Sequence, residues 1–399
     1  MDQVKEQVKE QVKEQVKVLS LNMWGVPGVS KKIKERSEHL IKWLLTSDYD
    51  IVGLQEVFVS WHATLIQEGT RAVFEHSHWF RSGVLGSPGL LVLSRHPIVD
   101  VAFQPFPLNG YPQCFYHGDW WAGKGVGMCR IEHPLTTVDF YNTHLHAGYG
   151  PGSEYSEYKV CQAYFMAKFV ALSSRDHGVV AVGDFNLKED EVATTLFREM
   201  SGLSDSFREM FPDAVSAPGF TNDIPDCNWK PVSNSAKLCS DGSAKRIDYV
   251  FYNRNTLQCV ECNVTMGQIP GEEFSYSDHM GVESIFELTG NPCPTGNMVT
   301  PSKTTAESVL ESFDEGLQGS YRDAKQKLVL WIVSSLLWCL VIVVSALDLI
   351  PAVASGVAAS LFATTSTGLF LYLAIFSKFE IAKFSEVKNE MTILSKVAM

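Results

Sequence analysis

The stretch VVAVGDFNL, from Val179 to Leu187, runs from small and β-branched apolar residues into Gly183 and then into two polar residues, Asp184 and Asn186. Its apolar part is typical of a strand that is buried on both faces. Side chains two positions apart in a strand point the same way, so Asp184 and Asn186 are predicted to reach one common place. Standing alone, such a pair is also an ordinary turn signal.

Other predicted strands carry polar residues at their ends as well. Strand-like runs cover 16–22, 50–56, 89–94, 137–146, 179–186 and 246–252, and helical patterns cover about 31–46, 157–174 and 189–200. The polar residues at or near the strand ends are Asn22, Glu56, His144, Asp184, Asn186, Asp248 and His279. Each has a structural explanation by itself, such as a cap or a turn. Together they indicate a layered α/β fold with a ligand site where strand ends converge.

The composition of the chain limits the kinds of molecule and ion that it is expected to bind. The formal net charge of −12 argues against a protein that grips nucleic acid, because such binding depends on a basic surface, and no nucleic-acid partner is expected. The nine cysteines are scattered, and the single C-x-x-C at Cys259 and Cys262 lies in an alternating, strand-like run. Without a second pair at suitable spacing, reduced strand cysteines are predicted rather than a zinc site.

The C-terminal part has the composition of a membrane hairpin. Residues 328–347 and 352–376 are uncharged and long enough to cross a bilayer, with Asp348 and Pro351 in the predicted turn. Residues 288–327 are predicted to be a linker and juxtamembrane segment, and 377–399 a tail. Basic residues flank the spans, and the turn has none, so the positive-inside rule predicts a multi-pass protein with both termini and the body in the cytosol. These basic residues are Arg322, Lys325, Lys327, Lys378 and Lys383.

The N-terminal residues 1–17 contain the four-residue repeat QVKEQVKEQVKEQVK. A period of four would place valines in a thin stripe on a helix, as in a docking helix. A solvated low-complexity extension is the interpretation that we favour, and no function is assigned to it.

Five ordered motifs carry a family resemblance over residues 18–287. LN.WG, LQE, GDFN, KRIDYV and SDH resemble the endonuclease/exonuclease/phosphatase superfamily, which implies a deoxyribonuclease I-like four-layer α/β sandwich. The stretches 81–98 and 108–127, followed by two apolar spans, are similar to neutral, magnesium-dependent sphingomyelinases of the sphingomyelin phosphodiesterase 2 type. The resemblance implies a Mg²⁺-dependent phosphodiesterase that converts sphingomyelin, its membrane lipid partner, into ceramide and phosphocholine at the cytosolic leaflet.

The residue types suit that chemistry. Mg²⁺ is held by few carboxylates and keeps several waters. Glu56 is therefore the leading ligand candidate and, by resemblance, the principal metal residue. Asn22 is expected to add an amide oxygen or to orient Glu56, and Asp278 to help directly or through water.

Acid–base roles are assigned to four catalytic candidates. His279 fits a general base, because imidazole titrates near neutrality, and Asp248 resembles the residue that orients such a base. His144 is expected to donate to a phosphoryl oxygen. Asp184 is expected to act on the attacking water or on the leaving group, and these two roles stay open. Asn186 is a neutral candidate for holding substrate.

The loop HGDWWAGKG, from His117 to Gly125, adds Lys124 as a substrate-binding candidate. Lys124 and Asp119 are spaced to form an ion pair near the phosphate, although a surface salt bridge of little value explains the same spacing. The aromatic residues Phe115, Tyr116, Trp120 and Trp121 suit a membrane interface or a choline headgroup. Core packing is the competing explanation for them.

Three other activities use related chemistry. A lyso-phosphocholine ether lipid would be cleaved in the same way as sphingomyelin. A nuclease of the same fold is disfavoured by the acidic charge and the membrane hairpin. An inositol-polyphosphate phosphatase is disfavoured because clusters of Lys and Arg for several phosphates are missing.

Overall fold

A computed structural model describes residues 15–82, 87–114, 116–150, 155–175, 177–213, 215–227, 229, 244–291 and 299–397. The chain divides into two compact units, one up to Pro301 and one from Ser302. Most of the N-terminal repeat, Phe115 and part of the linker lie outside the described residues. The strands of the first unit are β1 Gln15–Asn22, β2 Ile51–Gln55, β3 His76–Trp79, β4 Leu91–Ser94, β5 Ile98–Pro105, β6 Gly125–Glu132, β7 Thr137–His144, β8 Gly178–Asp184, β9 Ser204–Asp205, β10 Asp248–Tyr252, β11 Leu257–Thr265 and β12 Gly281–Leu288. Its helices are α1 Ile33–Leu44, α2 Ser60–Thr70, α3 Asp119–Ala122, α4 Ser156–Ser173, α5 Val192–Ser201 and α6 Ser206–Met210.

The strands form two six-stranded sheets that pack face to face. One sheet has the order β11-β12-β1-β2-β4-β3 and the other β5-β6-β7-β8-β10-β9. In β1, Val16 and Val18 enter the core between the sheets, whereas Leu19 and Leu21 belong to a second core that includes residues of α1 and α2. This alternation follows from the period of two in a strand, with both faces covered. The predicted four-layer α/β sandwich is confirmed.

Strand direction brings the polar residues to one rim. β1 and β2 run parallel in the first sheet, and β7 and β8 run parallel in the second. Their carboxyl ends carry Asn22, Glu56, His144 and Asp184. β10 runs antiparallel to β8, and its first residue, Asp248, pairs with Asp184 in register. The start of a strand and the ends of its neighbours therefore meet at the same edge.

The sequence analysis missed several elements. β3 (HSHW) and β5 are edge strands with few fully buried residues, so they lack the apolar run by which a buried strand is recognised. β6 contains Gly127, where an added Cβ would lie 2.4 Å from the Phe80 ring. Glycine weakens a strand pattern, but here it makes room for an aromatic side chain from the other sheet. The predicted strand with Cys259 and Cys262 is present as β11, and both cysteines are buried and free.

The second unit consists of long helices. α7 spans Lys303–Ala346 and α8 spans Ala352–Leu371, and a π-helical turn, Tyr372–Ser377, leads into α9, Lys378–Val397. Two helical stretches here are long and apolar enough to cross a membrane, and only 6% of the residues in their most apolar windows are buried. Such exposed apolar surface is consistent with membrane association.

Serine hydroxyls join the two apolar helices. Ser335 Oγ lies 2.6 Å from Ser366 Oγ, and Ser334 Oγ donates to the Phe362 carbonyl at 3.2 Å. Small hydroxyl residues of this kind allow close helix packing in lipid. The predicted juxtamembrane segment and tail form a helix pair, in which Phe313 of α7 and Phe384 of α9 are buried.

The geometry of the rim depends on Gly183, because a side chain at this position would collide with the neighbouring strand. Its φ is +143°, and an added Cβ would lie 2.0 Å from the carbonyl oxygen of Thr143 on β7. We expect Gly183→Ala to lower the free energy of unfolding by roughly 2–4 kcal/mol, because the backbone must move and also adopt a strained conformation. Denaturant unfolding of the detergent-solubilised chain, followed by tryptophan fluorescence, measures this change.

Gly178→Ala is the matched control in the same strand. Its added Cβ would meet neighbours at 3.5 Å, which is ordinary contact. This variant should change stability by about 1 kcal/mol or less. Equal unfolding midpoints for the two variants would show that the close approach at Gly183 does not constrain the fold.

Candidate active site

The rim opens into a cleft of about 580 Å³. Its floor is polar, and its walls are largely apolar or aromatic. The polar lining includes Glu56, Lys124, His144, Asp184, Asn186 and His279. The walls include Val26, Pro27, Phe58, Val59, Trp121 and Tyr149. A few convergent polar groups inside an apolar cleft are typical of a small-molecule or lipid headgroup site.

Asn22 connects the two sheets at the floor of the cleft. Its buried Nδ2 donates to Glu56 Oε1 at 3.1 Å and to Asp184 Oδ2 at 2.9 Å, and its Oδ1 accepts the Trp24 backbone N–H at 2.9 Å. The amide oxygen is therefore directed at the backbone. Of the two roles expected for Asn22, orientation of Glu56 is the one that these contacts support.

Glu56 follows β2 with a left-handed backbone, φ +59°, and its side chain points into the cleft. Its Oε2 is buried and has no hydrogen-bond partner among the described residues. Burial raises the pKa of Glu56, although the Asn22 hydrogen bond and the charges of His279 and Lys124 oppose this. An orphaned buried carboxylate oxygen is costly unless a cation or another donor meets it. Glu56 therefore fits a ligand of a hard cation such as Mg²⁺.

His279 and Asp248 form a buried pair. His279 Nδ1 donates to Asp248 Oδ2 at 2.8 Å, which leaves Nε2 as the atom that can exchange a proton in the cleft. Nε2 lies 3.8 Å from Asp184 Oδ2. Burial alone would lower the pKa of His279, but the charges of Asp248 and Asp184 raise it well above the usual range. The pair thus has the geometry expected for an oriented acid–base histidine.

Lys124 does not form the exposed loop salt bridge that is the alternative explanation for its spacing from Asp119. It is buried in an ion pair with buried Asp119, and it also contacts His144 Nε2 at 3.0 Å and the Leu145 carbonyl at 2.8 Å. Burial alone would raise the pKa of Asp119, but Lys124 lowers it to about 2, so the pair is charged. The ammonium group hydrogen-bonds to His144 Nε2 and the Leu145 carbonyl, and it pairs with the Asp119 carboxylate. Lys124 is thereby held in place and can act on a substrate through its charge.

The same contact sets the protonation of His144. An ammonium group only donates, so His144 Nε2 must accept, and the ring proton lies on Nδ1. Burial, reinforced by the charge of Lys124, holds the pKa of His144 well below its usual value. Nδ1 has no hydrogen-bond partner in the described part of the chain. A neutral imidazole with a spare N–H agrees with the expected donor role.

Asp184 and Asn186 both line the cleft, but not as alternate residues of one strand, because β8 ends at Asp184. The Asn186 backbone N–H donates to Asp184 Oδ1 at 2.9 Å, and Asn186 Nδ2 donates to the Leu145 carbonyl at 3.1 Å. Burial and the charge of Asp248 raise the pKa of Asp184 to about 6, against the charges of His279 and Lys124. The arrangement requires Asn186 to be left-handed, φ +50°, which an Asn tolerates well.

Asp278 is a predicted metal residue whose carboxylate takes no part in these hydrogen bonds. It does not line the cleft, and its Oδ1 accepts the Ser277 hydroxyl at 3.4 Å. Burial and then the charge of Glu56 raise its pKa to about 6, whereas His279 and Arg36 lower it. Asp278 therefore interacts with the site electrostatically, as an indirect metal residue would.

Among the residues that the structure describes, two groups of side chains have the spacing of metal ligands. Asp184, Asp248 and His279 form one group, at the rim. Asp50, His96 and His133 form the other, near the opposite ends of their strands. In the second group His133 Nδ1 accepts the Leu135 N–H at 3.2 Å, which places the ring proton on Nε2, facing Asp50. This protonation favours hydrogen bonding to Asp50 over metal binding.

Arg36 is a positioning residue that the sequence analysis missed. Its guanidinium is fully buried and donates to the carbonyls of Met23, Trp24, Lys31 and Tyr276 at 2.6 to 2.9 Å. It also lies near the rings of both Trp24 and Trp229, 5.3 and 5.6 Å from their centroids. One cation thus ties the loop after Asn22 to the loop before Asp278. Its sequence signal is a charged residue in line with Leu40 and Leu44 on the buried face of α1.

The aromatic loop residues are divided between wall and surface. Trp121 lines the cleft and donates through Nε1 to the Pro112 carbonyl at 3.2 Å. Trp120 packs edge-on against Trp121 with centroids 4.9 Å apart. Tyr116 is exposed. Full core packing is therefore not the role of these three residues.

Comparison with known families supports the fold and the order of the motifs. Residues 19–279 match the Endonuclease/Exonuclease/phosphatase family. Inositol phosphosphingolipids phospholipase C of Schizosaccharomyces pombe is 34% identical, with 70% of each chain covered. A putative neutral sphingomyelinase of Drosophila melanogaster is 35% identical over 68% of this chain and 60% of that protein. Sphingomyelin phosphodiesterase 2 of Mus musculus is 31% identical over 69% of this chain and 65% of that protein.

Solved structures share the fold at low sequence identity. Danio rerio TDP2 with a single-strand DNA product has a TM-score of 0.54 and 16% identity, covering 68% of this chain and 99% of that one. SmcL has a TM-score of 0.52 and 17% identity with the same coverage. The beta toxin of Staphylococcus aureus, in a form with bound magnesium ions, has a TM-score of 0.50 and 15% identity over 68% of this chain and 99% of that one.

Arg36→Lys should weaken cation binding at the rim. A lysine keeps the charge but has at most three donors, so the two loops lose part of their connection. We expect the affinity for Mg²⁺ to fall roughly tenfold or more, as happens when residues that orient metal ligands are replaced. Isothermal titration of the metal-free chain with Mg²⁺ measures this affinity.

Arg198→Lys, on the exposed face of α5, is the control and should bind Mg²⁺ as the unchanged chain does. Unfolding midpoints identify any general loss of structure. An Arg36→Lys variant with unaltered Mg²⁺ affinity would show that the connection of the two loops does not position the cation site.

Proposed function

The chain belongs to the Endonuclease/Exonuclease/phosphatase family, and within it we propose a phosphodiesterase that hydrolyses sphingomyelin to ceramide and phosphocholine. The observation that carries the proposal is the buried His279–Asp248 pair on the polar floor of a cleft with apolar walls. Relatives that are 31 to 35% identical are named for hydrolysis of sphingolipid phosphodiesters. Such a substrate combines an anionic phosphodiester with apolar chains, and the cleft offers a surface to each.

We propose Mg²⁺ as the cofactor, held chiefly by Glu56. The donor set supports this choice, because hard carboxylate oxygens suit Mg²⁺, and Glu56 Oε2 lacks another partner among the described residues. Asn22 would orient Glu56, and Asp278 would contribute charge nearby. When bound, the ion would supply charge stabilisation to the phosphoryl oxygens.

In the proposed mechanism His279 is the general base. Its Nε2 accepts a proton from the attacking water, while Asp248 holds Nδ1–H and stabilises the imidazolium that forms. His279 acts as a base from its neutral form, and the charges of Asp248 and Asp184 then stabilise the imidazolium. Asp184 Oδ2 lies 3.8 Å from Nε2, a gap in which one water can contact both. We therefore assign Asp184 to orientation of the water, and the ceramide oxygen takes its proton from solvent water as its bond to phosphorus breaks.

The opposite side of the floor stabilises the developing charge on phosphate. His144, neutral and protonated at Nδ1, donates a hydrogen bond to a phosphoryl oxygen. Lys124 adds a positive charge next to His144, where Asp119, His144 Nε2 and the Leu145 carbonyl hold it in place. Asn186 lines the cleft as a neutral group and does not repel the anion.

Inositol phosphosphingolipids are a second candidate substrate class. The 34% identical relative from Schizosaccharomyces pombe is named for them. The leaving lipid would be the same, and only the headgroup would differ. Trp121 and Tyr149 in the cleft wall favour the choline cation of sphingomyelin, because aromatic faces attract quaternary ammonium groups.

Activity assays on purified chain test the proposal. With Mg²⁺ we expect release of phosphocholine from sphingomyelin, and loss of this activity after chelation. Glu56→Ala and His279→Ala should each lower kcat by roughly a thousandfold, because they remove the cation ligand and the general base. Phosphate-ester release is measured with sphingomyelin, an inositol phosphosphingolipid, a lyso-phosphocholine lipid and single-stranded DNA in parallel.

His39→Ala is the control, since His39 is a partly exposed residue near Glu272 and away from the cleft lining. It should retain full activity. Turnover that persists without divalent cation would contradict the mechanism. Cleavage of DNA with no lipid hydrolysis would contradict the substrate class.

We also propose that the two apolar helices span the membrane and that both termini and the catalytic unit are cytosolic. The basic residues flanking the helices support this orientation by the positive-inside rule. A multi-pass hairpin would keep the unit near the membrane that contains its substrate.

The sequon at Asn263 provides a test of orientation. In a cell with a secretory pathway, Asn263 should carry no glycan, because the cytosol lacks the glycosylation machinery. Treatment with a glycosidase should leave the electrophoretic mobility unchanged. A matched chain with an added N-terminal signal peptide should be glycosylated there, which checks that the site is accessible. Glycan on the unaltered chain would contradict the proposed topology.

A further inference from the structure

Two short segments place apolar side chains in solvent at the mouth of the cleft. The first is the loop after β1, with Val26, Pro27 and Val29, and the second is the start of α2, with Trp61. Val29 is 67% exposed and Trp61 is 50% exposed, and on the other wall Tyr116 is 71% exposed. We call Val26, Pro27, Val29, Trp61 and Tyr116 the apolar rim.

The apolar rim is continuous with the cleft. Val26 and Pro27 line the cleft together with Phe58 and Val59, the residues just before α2. The two segments approach closely, since a Cβ on Gly25 would lie 3.0 Å from the ring of His62, the residue after Trp61. Tyr116 packs edge-on against His117, which also lines the cleft. A ligand that enters the cleft therefore passes this surface.

Local hydrogen bonds hold Val29 outward. The Val26 carbonyl accepts the N–H groups of Val29 and Ser30 at 3.2 and 2.9 Å, and the Ser30 hydroxyl accepts the Val26 N–H at 2.9 Å. Gly28, with φ +78°, allows the tight turn between them. The turn presents an apolar tip in a defined conformation.

Positive charge adjoins this tip in a chain that is acidic as a whole. Lys31, Lys32 and Lys34 follow Val29 directly, and all three are exposed. Lys34 lies 3.9 Å from Glu38, and Lys32 Nζ lies 4.0 Å from the centroid of Phe274. An apolar tip beside lysines matches the order of layers in a membrane surface, where acyl chains lie below anionic headgroups.

We propose that the apolar rim inserts into the headgroup layer of a lipid bilayer, with Lys31, Lys32 and Lys34 against anionic headgroups. The occupant is a lipid surface, because the exposed apolar side chains continue from the cleft lining and three exposed lysines lie beside them. The inference rests on the proposed function, since it places the mouth of the cleft at the surface where a sphingolipid phosphodiester lies. It goes beyond that function by naming the surface that engages the membrane.

Val29→Asp tests the insertion, and Leu172→Asp is the matched control. Leu172 is 69% exposed, near the end of α4, and it does not line the cleft. The full chain is reconstituted into vesicles that contain sphingomyelin and an anionic phospholipid. Hydrolysis is measured on that sphingomyelin and on the water-soluble ester p-nitrophenyl phosphocholine.

We expect Val29→Asp to lower hydrolysis of vesicle sphingomyelin about tenfold, because a charge in the headgroup layer opposes insertion. Hydrolysis of the soluble ester should stay within about twofold, and Leu172→Asp should change neither rate. Equal loss on both substrates would overturn the proposal, because it would place Val29 in catalysis itself. Unchanged hydrolysis of both would also overturn it.

The lysines are tested by Lys31→Glu combined with Lys32→Glu. This variant should lose activity on vesicles with anionic lipid and keep it on vesicles of neutral lipid alone, because only the former attract the lysines. Equal rates for the variant and the unchanged chain on anionic vesicles would overturn the role of these residues.

A readout without turnover separates this proposal from the proposed function. An environment-sensitive fluorescent amino acid at position 29 should be quenched by lipids that carry nitroxide groups near the headgroup, and the same probe at position 172 should not. If the chain hydrolyses neither phosphocholine substrate, the proposed function fails, while the quenching still decides whether the apolar rim inserts. Absence of quenching at position 29 would overturn the proposal.

Discussion

Asn22 donates both hydrogens of one buried amide, to Glu56 in one half of the sandwich and to Asp184 in the other. That bridge is possible because each sheet contains a parallel pair of strands whose carboxyl ends meet at the same rim. The candidate catalytic groups are placed by this convergence. Gly183 permits it sterically, since the carbonyl of Thr143 occupies the space of a side chain.

The cost of this arrangement is electrostatic. Glu56, Asp184 and Asp278 all have raised pKa values, because burial disfavours their charged forms and a neighbouring carboxylate repels each of them. Two buried cations oppose them in different ways. Lys124 pairs with Asp119 and sets the proton of His144, whereas Arg36 binds four carbonyls and connects the loops. Clustered carboxylates with raised pKa values are common where a site is built for a cation or for proton transfer.

The residues around the site indicate which kind of phosphodiester it binds. A polar floor suits a phosphodiester, but apolar walls and an exposed apolar rim suit a substrate that is partly lipid. The two apolar helices of the second unit agree with the same environment. The chain has a formal net charge of −12, and Lys31, Lys32 and Lys34 form a small basic group beside the loop after β1. This distribution of charge differs from the basic stripe of a nuclease.

Much of the fold and site could be predicted from local pattern, since buried strands are apolar and their polar ends stand out. The sequence alone determined the layered α/β class, the apolar hairpin segments and the residues Asn22, Glu56, His144, Asp184, Asp248 and His279. Edge strands β3 and β5 were missed, because strands with few fully buried residues need no continuous apolar run. Only the tertiary structure decided that Asn22 orients two carboxylates, that Lys124 is buried against Asp119 and His144, and that Arg36 joins two loops. These roles depend on contacts between residues distant in the chain, and local sequence carries no record of which donor meets which acceptor.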